Sequence, residues 1–145
     1  MTSTVRQLLL AKGNVVYAIP PEATVFEALE RMAAYDVGAL MVMQGDQLVG
    51  IFSERDYARK IILMGRISKE TRVEEVMTSS LITVTPEATM ADCMNLMTSH
   101  RVRHLPVLED GKLVGVISIG DVVKAIMTQQ EFMIAELESY ITGSR

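Results

Sequence analysis

A shift of 65 residues lays this chain over itself. Pro21, Glu22, Ala23 and Thr24 fall on Pro86, Glu87, Ala88 and Thr89, and Leu48, Val49 and Gly50 fall on Leu113, Val114 and Gly115. Ser53 falls on Ser118, and Asp56 on Asp121. Between residues 17–61 and 82–126, 14 of 45 ungapped pairs are identical. Eleven of the other 31 exchange one apolar residue for another. Self-similarity of this kind means one supersecondary unit present twice. A unit of about 60 residues buries too little surface to be comfortable alone. Two copies are therefore expected to pack sheet against sheet in one core, with pseudo-twofold symmetry and equivalent crevices between them.

Each copy reads β-α-β-β-α, an α+β pattern. Short first strands are expected at residues 16–19 and 81–84. Thr24 with Glu27, and Thr89 with Asp92, have capping-box spacing. The helices that follow carry Val25, Ala28, Leu29 and Met32, or Met90, Cys93, Met94 and Met97, at i, i+3, i+4 and i+7. Cys93 lies within that stripe and reads as a small core residue, not a nucleophile. Two strand-like runs then flank Gly45-Asp46 or Asp110-Gly111, which are hairpin signals. Second helices are expected over residues 54–64 and 119–127. The domain reading is 1–75 for the first repeat with an N-terminal helix, 76–128 for the second, and 129–145 for a helical extension.

Composition narrows the function. The hydrophobic fraction of 49% excludes disorder as the main state. Eleven methionines read as adaptable core filler. A net charge of −4 argues against coating nucleic acid, which requires phosphate neutralisation. No apolar run approaches the roughly 20 residues of a membrane span. The single cysteine fits a reducing compartment, and no secretory pattern opens the chain, so the cytoplasm is the expected address.

The most informative segments are residues 50–56 and 115–121, both G-h-h-S-x-x-D with h apolar. Each lies where a buried strand meets a helix, so backbone N–H groups and the positive helix end favour phosphate. The serine adds a donor, and the aspartate can accept both hydroxyls of a ribose. The same spacing is also an ordinary capping box, and a duplication copies caps as readily as sites.

The copies differ in charge. His100, Arg101, Arg103 and His104 form a basic cluster where the first copy has Tyr35, Asp36, Gly38 and Ala39. Arg103 and His104 suit an anionic ligand; Arg101 and Arg103 also read as solvated surface charges. His100 and His104 lack the further ligands that a closed zinc site needs, so no metal is expected. Arg55, which can clamp phosphate, is matched by Gly120, which admits a ligand close to the backbone. No P-loop, dinucleotide-binding, zinc-protease or nucleophile-elbow motif is present. No catalytic residue is nominated, and no enzyme activity is expected.

At these residues the chain resembles the cystathionine-β-synthase (CBS) domain family, as a tandem pair known as a Bateman module. The resemblance rests on the repeated P-E-A-T start, on Val76-Met77-Thr78, and on the run from Arg103 to Asp121; it covers residues 5–127. The first copy departs at Met41, where the second has the family's proline, Pro106. The resemblance implies a tandem CBS fold and a regulatory sensor that binds AMP, ADP, ATP, NAD(H) or an S-adenosyl compound. Ribose would be held by Asp56 and Asp121, with Ser53 and Ser118 near sugar or phosphate. The Asp121 site would add Gly120, Val16, Tyr17, Val37, Gly38 and Ala39. The Asp56 site would add Arg55, Met77, Thr78, Ile82, Val102, Arg103 and His104.

The resemblance also implies a homodimer and a regulated partner protein. Phe132, Met133, Leu137, Tyr140 and Ile141 make an apolar stripe beyond the repeats, with Glu131, Glu136 and Glu138 opposite. Closing the chain's own dimer is the favoured use of that stripe, and a partner surface is the alternative. A ligand-free interaction module is the runner-up for the whole chain.

Overall fold

The structure is a computed structural model that describes residues 3–142. The outer ends of the two terminal domain assignments, residues 1–2 and 143–145, lie outside the described residues. The elements are α1 (Val5–Lys12), β1 (Ala18–Ile19), α2 (Val25–Tyr35), β2 (Ala39–Gln44), β3 (Gln47–Ser53), α3 (Glu54–Asp56), α4 (Val73–Val76), α5 (Met90–His100), β4 (His104–Glu109), β5 (Lys112–Ser118) and α6 (Ile119–Thr142). Two compact units result, and the fold is α+β.

The first unit spans Val15–Leu81 together with Glu109–Val114. In it β1 pairs parallel with β2, and β2 pairs antiparallel with β3. Only Ala18 and Ile19 of the expected first strand enter the ladder, although Met41 N–H still reaches Tyr17 O at 3.0 Å. The β2–β3 turn has positive φ at Gly45 and not at Asp46, as in a type II′ hairpin. Thr24 caps α2 by accepting from Glu27 N–H, and its own hydroxyl donates to the Glu27 carboxylate. Val25, Ala28 and Met32 of the predicted stripe are buried against Ile19, Leu40, Val42, Phe52 and Ile61.

The second unit holds Ile82–Leu108, the described part of Gly115–Arg145, and the N-terminal helix. Met90, Cys93 and Met97 are buried along α5, as the stripe predicts. Thr89 and Asp92 close a full capping box. In the β4–β5 turn, whose residues group with the first unit, Asp110 and Gly111 both have positive φ, as a type I′ turn requires. The strand expected at residues 81–84 does not form as a ladder. Val84 alone bridges Val107, with Val84 N–H on Pro106 O and Leu108 N–H on Val84 O.

Helix α1 is in the unit of the second repeat, not the first, which revises the 1–75 grouping. Backbone bonds hold it there: Val5 N–H to Ala88 O at 2.8 Å, Arg6 N–H to Pro86 O at 2.9 Å and Met90 N–H to Ser3 O at 3.1 Å. The segment that leads into the second repeat does the same for the first. Val73 N–H bonds Ala23 O, Glu74 N–H bonds Pro21 O and Val25 N–H bonds Thr71 O. Each repeat thus carries on its edge the leader of the other.

Two helices also differ from expectation. After Asp56 the chain turns as a π-helix over Tyr57–Ile62, a widened turn that often marks functional positions. The second copy continues as one helix, α6, through the boundary assigned at 128/129. The segment 129–141 is therefore the far half of the second repeat's own helix.

Candidate functional site

Both S-x-x-D motifs fold as helix caps. Ser53 Oγ accepts from Asp56 N–H at 3.2 Å, and Asp56 Oδ2 accepts from Ser53 N–H at 3.0 Å. Ser118 Oγ accepts from Asp121 N–H at 3.2 Å, and Asp121 Oδ2 accepts from Ser118 N–H at 2.9 Å. A matching backbone bond anchors each motif: Glu54 N–H to Gly38 O at 3.0 Å, and Ile119 N–H to Arg103 O at 2.9 Å. Gly38 and Arg103 are therefore brought to their own unit's motif.

The two aspartates then diverge. Asp56 is buried. Its Oδ2 also accepts the Ser53 hydroxyl at 3.0 Å. Its Oδ1 accepts the Thr78 hydroxyl at 3.0 Å and faces Lys60 Nζ at 3.1 Å. Thr78 is held there by a two-way backbone bridge to Ile51, and Lys60 also donates to Val76 O. A carboxylate has about four lone-pair sites, so Asp56 is fully engaged. Met77 packs against Gly50, where a Cβ would come within 2.5 Å of its sulfur.

Asp121 has a side chain 25% exposed. Its Oδ2 takes Lys12 Nζ at 2.7 Å besides Ser118 N–H, and Lys12 also donates to Val116 O. No hydrogen bond to Asp121 Oδ1 is present among the described residues. Burial pushes this carboxyl upward, but the Lys12 ammonium and the Ser118 N–H outweigh it and hold it below its usual value. Asp121 lines a groove of about 600 Å³ between α1 and α6, within the range of small-molecule sites. Lys12 and Lys124 stand at the Asp121 end, and Leu8, Phe132 and Met133 supply apolar wall.

Of the other predicted residues, Val16, Tyr17, Val37, Gly38, Ala39, Arg55, Met77 and Thr78 lie in the first unit. Ile82, Val102, Arg103, His104 and Gly120 lie in the second. Tyr17 stacks on Tyr35 with ring centroids 4.4 Å apart. Val37 and Gly38 border a polar notch of about 330 Å³ with Asp36 and Glu54. No group of three His, Cys, Asp or Glu side chains placed to hold a metal ion occurs among the described residues.

Two lysines that contact the motif aspartates escape a motif search: Lys60 and Lys12. Lys60 had a usable signal, the i, i+4 spacing from Asp56. Lys12 had a fainter one: it stands 65 residues before Met77, the position already singled out in the other leader.

The CBS domain family matches residues 10–63 and 73–128. The chain belongs to the CBS domain family. It is 47% identical over 125 residues to the mitochondrial CBS domain-containing protein CBSX3 of Arabidopsis thaliana, covering 83% of this chain and 61% of that protein's length. A protein with CBS domains from Burkholderia ambifaria is 50% identical, with a TM-score of 0.85 over 88% of this chain and 96% of that one. A CBS domain protein of Pyrobaculum aerophilum, solved in complex with AMP, is 27% identical with a TM-score of 0.73, covering 82% and 89%. This chain is thus a tandem CBS pair. None of its helices, among the described residues, is long and apolar enough to cross a membrane.

Proposed function

We propose that this CBS pair is a non-catalytic sensor of an adenosine nucleotide, which it signals to a partner protein, and that Asp121 is the residue that holds the ribose. One observation carries this reading: Asp121 keeps an oxygen without a hydrogen-bond partner among the described residues, at the mouth of a groove of about 600 Å³. Lys12 and Lys124 beside it supply positive charge for phosphate. AMP in the Pyrobaculum relative supports the ligand class. The Asp56 motif is proposed as structural, because its carboxylate is already saturated. One ligand per chain follows, instead of two.

Binding of a ligand to the folded state alone raises the melting temperature. AMP, ATP, NAD+ and S-adenosylmethionine at millimolar concentration are the screen, and we expect at least one to raise it. No shift with any of them overturns the reading and leaves the alternative, a ligand-free interaction module whose motifs serve as caps. That alternative has its own support in the two capping boxes. A reducing compartment, the cytoplasm in the first instance, belongs to the same proposal, on the strength of the free buried thiol of Cys93. Nucleic acid is not a proposed partner, given the net charge of −4.

A further inference from the structure

Where the π-turn ends, the first unit holds large apolar side chains out of its own core. Ile62, Leu63, Met64 and Ile67 are 58%, 77%, 71% and 59% exposed, while Ile61 beside them is buried. Backbone bonds fix the tip: Leu63 N–H to Ala58 O at 3.1 Å, Gly65 N–H to Ile62 O at 3.3 Å and Arg66 N–H to Ile61 O at 2.9 Å. Gly65 supplies the positive φ that ends the turn. The tip therefore keeps its shape without burying the side chains it displays.

The same segment concentrates positive charge. Residues 55–70 hold five Lys or Arg against two acids, in a chain of net charge −4. One of those acids, Asp56, is neutralised by Lys60. Arg59, Arg66 and Lys69 are exposed on either side of the tip in sequence. Glu75 tethers Arg66 at 2.6 Å, and the Lys69 ammonium stands 4.7 Å above the Phe26 ring.

The spacing decides between two kinds of partner. A protein groove reads side chains at i, i+3, i+4 and i+7 along one helix face. Ile62, Leu63 and Met64 are consecutive, so on a helical turn they fan out by about 100° each. A fan of this kind suits a fluid acyl layer better than a shaped groove. Flanking cations add attraction to anionic headgroups.

We propose that the Ile62–Ile67 tip docks this chain on the surface of an anionic lipid bilayer. Ile62, Leu63 and Met64 enter the boundary between headgroups and acyl chains, and Arg59 and Lys69 meet the lipid phosphates. The contact is peripheral, since no helix among the described residues can span a bilayer.

The test uses the full chain without nucleotide, so its failure is separate from failure of the ligand screen. The protein is expected to float with vesicles of phosphatidylcholine and phosphatidylglycerol, and to stay behind with phosphatidylcholine alone. Leu63→Glu with Met64→Glu is expected to weaken that binding at least tenfold, with circular dichroism and melting temperature unchanged. Arg59→Gln with Lys69→Gln is expected to weaken it about tenfold and to reduce its salt dependence. Met64→Cys labelled with an environment-sensitive dye gives a readout that does not depend on those variants folding; its emission is expected to shift to the blue on the anionic vesicles. Absence of flotation, undiminished flotation of the double-glutamate variant, or an unshifted label overturns the proposal. So does a tip covered by another copy of the chain, seen as a dimer that the double-glutamate variant dissociates.

Discussion

Lys12 Nζ lies 2.7 Å from Asp121 Oδ2, across 109 residues of chain. The pair ties the end of the N-terminal helix to the start of the last one, and it places an ammonium beside the carboxylate proposed to hold ribose. Lys12→Met keeps the apolar stem and removes the charge. If Lys12 faces the phosphate, AMP affinity falls about tenfold, roughly 1.4 kcal/mol, while adenosine affinity barely changes. Isothermal titration with both ligands decides it; an equal loss for both removes Lys12 from that role.

The depressed Asp121 carboxyl sets a pH dependence. Its folded-state value lies below the ordinary value of about 3.9, so the unfolded chain takes the proton more readily. The stabilisation is present above about pH 4 and is lost as pH falls through the folded-state value. Asp121→Asn is expected to be less stable than wild type at pH 7 and to lose less stability on acidification below about pH 4. Urea midpoints across pH 2–7 read this directly.

Asp56 and Asp121 are expected to fail in different assays. Asp56→Ala strands Thr78 and Lys60 and removes a helix cap, at a cost of about 1–3 kcal/mol of stability. Ligand affinity, measured below the melting transition, is expected to be retained. Asp121→Ala weakens nucleotide binding by about 1.5–3 kcal/mol, the range for a hydrogen bond to a charged group. A large loss of binding in Asp56→Ala would restore a two-site scheme.

Burial, with Asp92 nearby, pushes the Cys93 thiol up to about 11. A raised acid favours the neutral form in the fold, so its contribution is intact below about pH 8.5 and fades as pH rises toward 11. The folded protein is expected to resist iodoacetamide at pH 8, whereas the urea-unfolded chain reacts within minutes. Rapid labelling of the folded protein contradicts the buried placement.

Gly50 and Gly115 occupy equivalent positions with unequal tolerance. A Cβ at Gly50 would meet Met77 Sδ at 2.5 Å and the Thr78 carbonyl oxygen at 3.1 Å. At Gly115 its nearest neighbours would be side-chain carbons of Leu9, the two methyls at 2.8 and 2.9 Å. Gly50→Ala is expected to cost about 1–3 kcal/mol, and Gly115→Ala less, because a leucine end can move and a carbonyl in a bridge cannot. Leu9→Ala in the Gly115→Ala background removes the clash, so the two losses should add to less than their sum.

Local chemistry made much of this fold legible in the sequence. Thr89 with Asp92, Ser53 with Asp56, the two hairpin turns and the buried stripe through Cys93 all follow from residues within a few positions of one another. What stayed hidden depends on partners far along the chain. The strand expected before Thr85 shrinks to one bridge at Val84, since its neighbours do not pair with β4. Lys12 looks unremarkable in sequence; its importance comes from the carboxylate that the fold brings to it. The S-x-x-D motif alone cannot distinguish a saturated aspartate from one with an oxygen to spare.

The exchanged leaders have a genetic consequence. A gene fragment encoding residues 1–75 would supply α1 without the repeat it docks on, and would leave the other half without its edge. Neither product is expected to persist alone, but co-expressed halves should reassemble. By the same logic, an ancestral single-copy protein would have had to lend its leader to a twin, and duplication merely placed both on one strand of peptide.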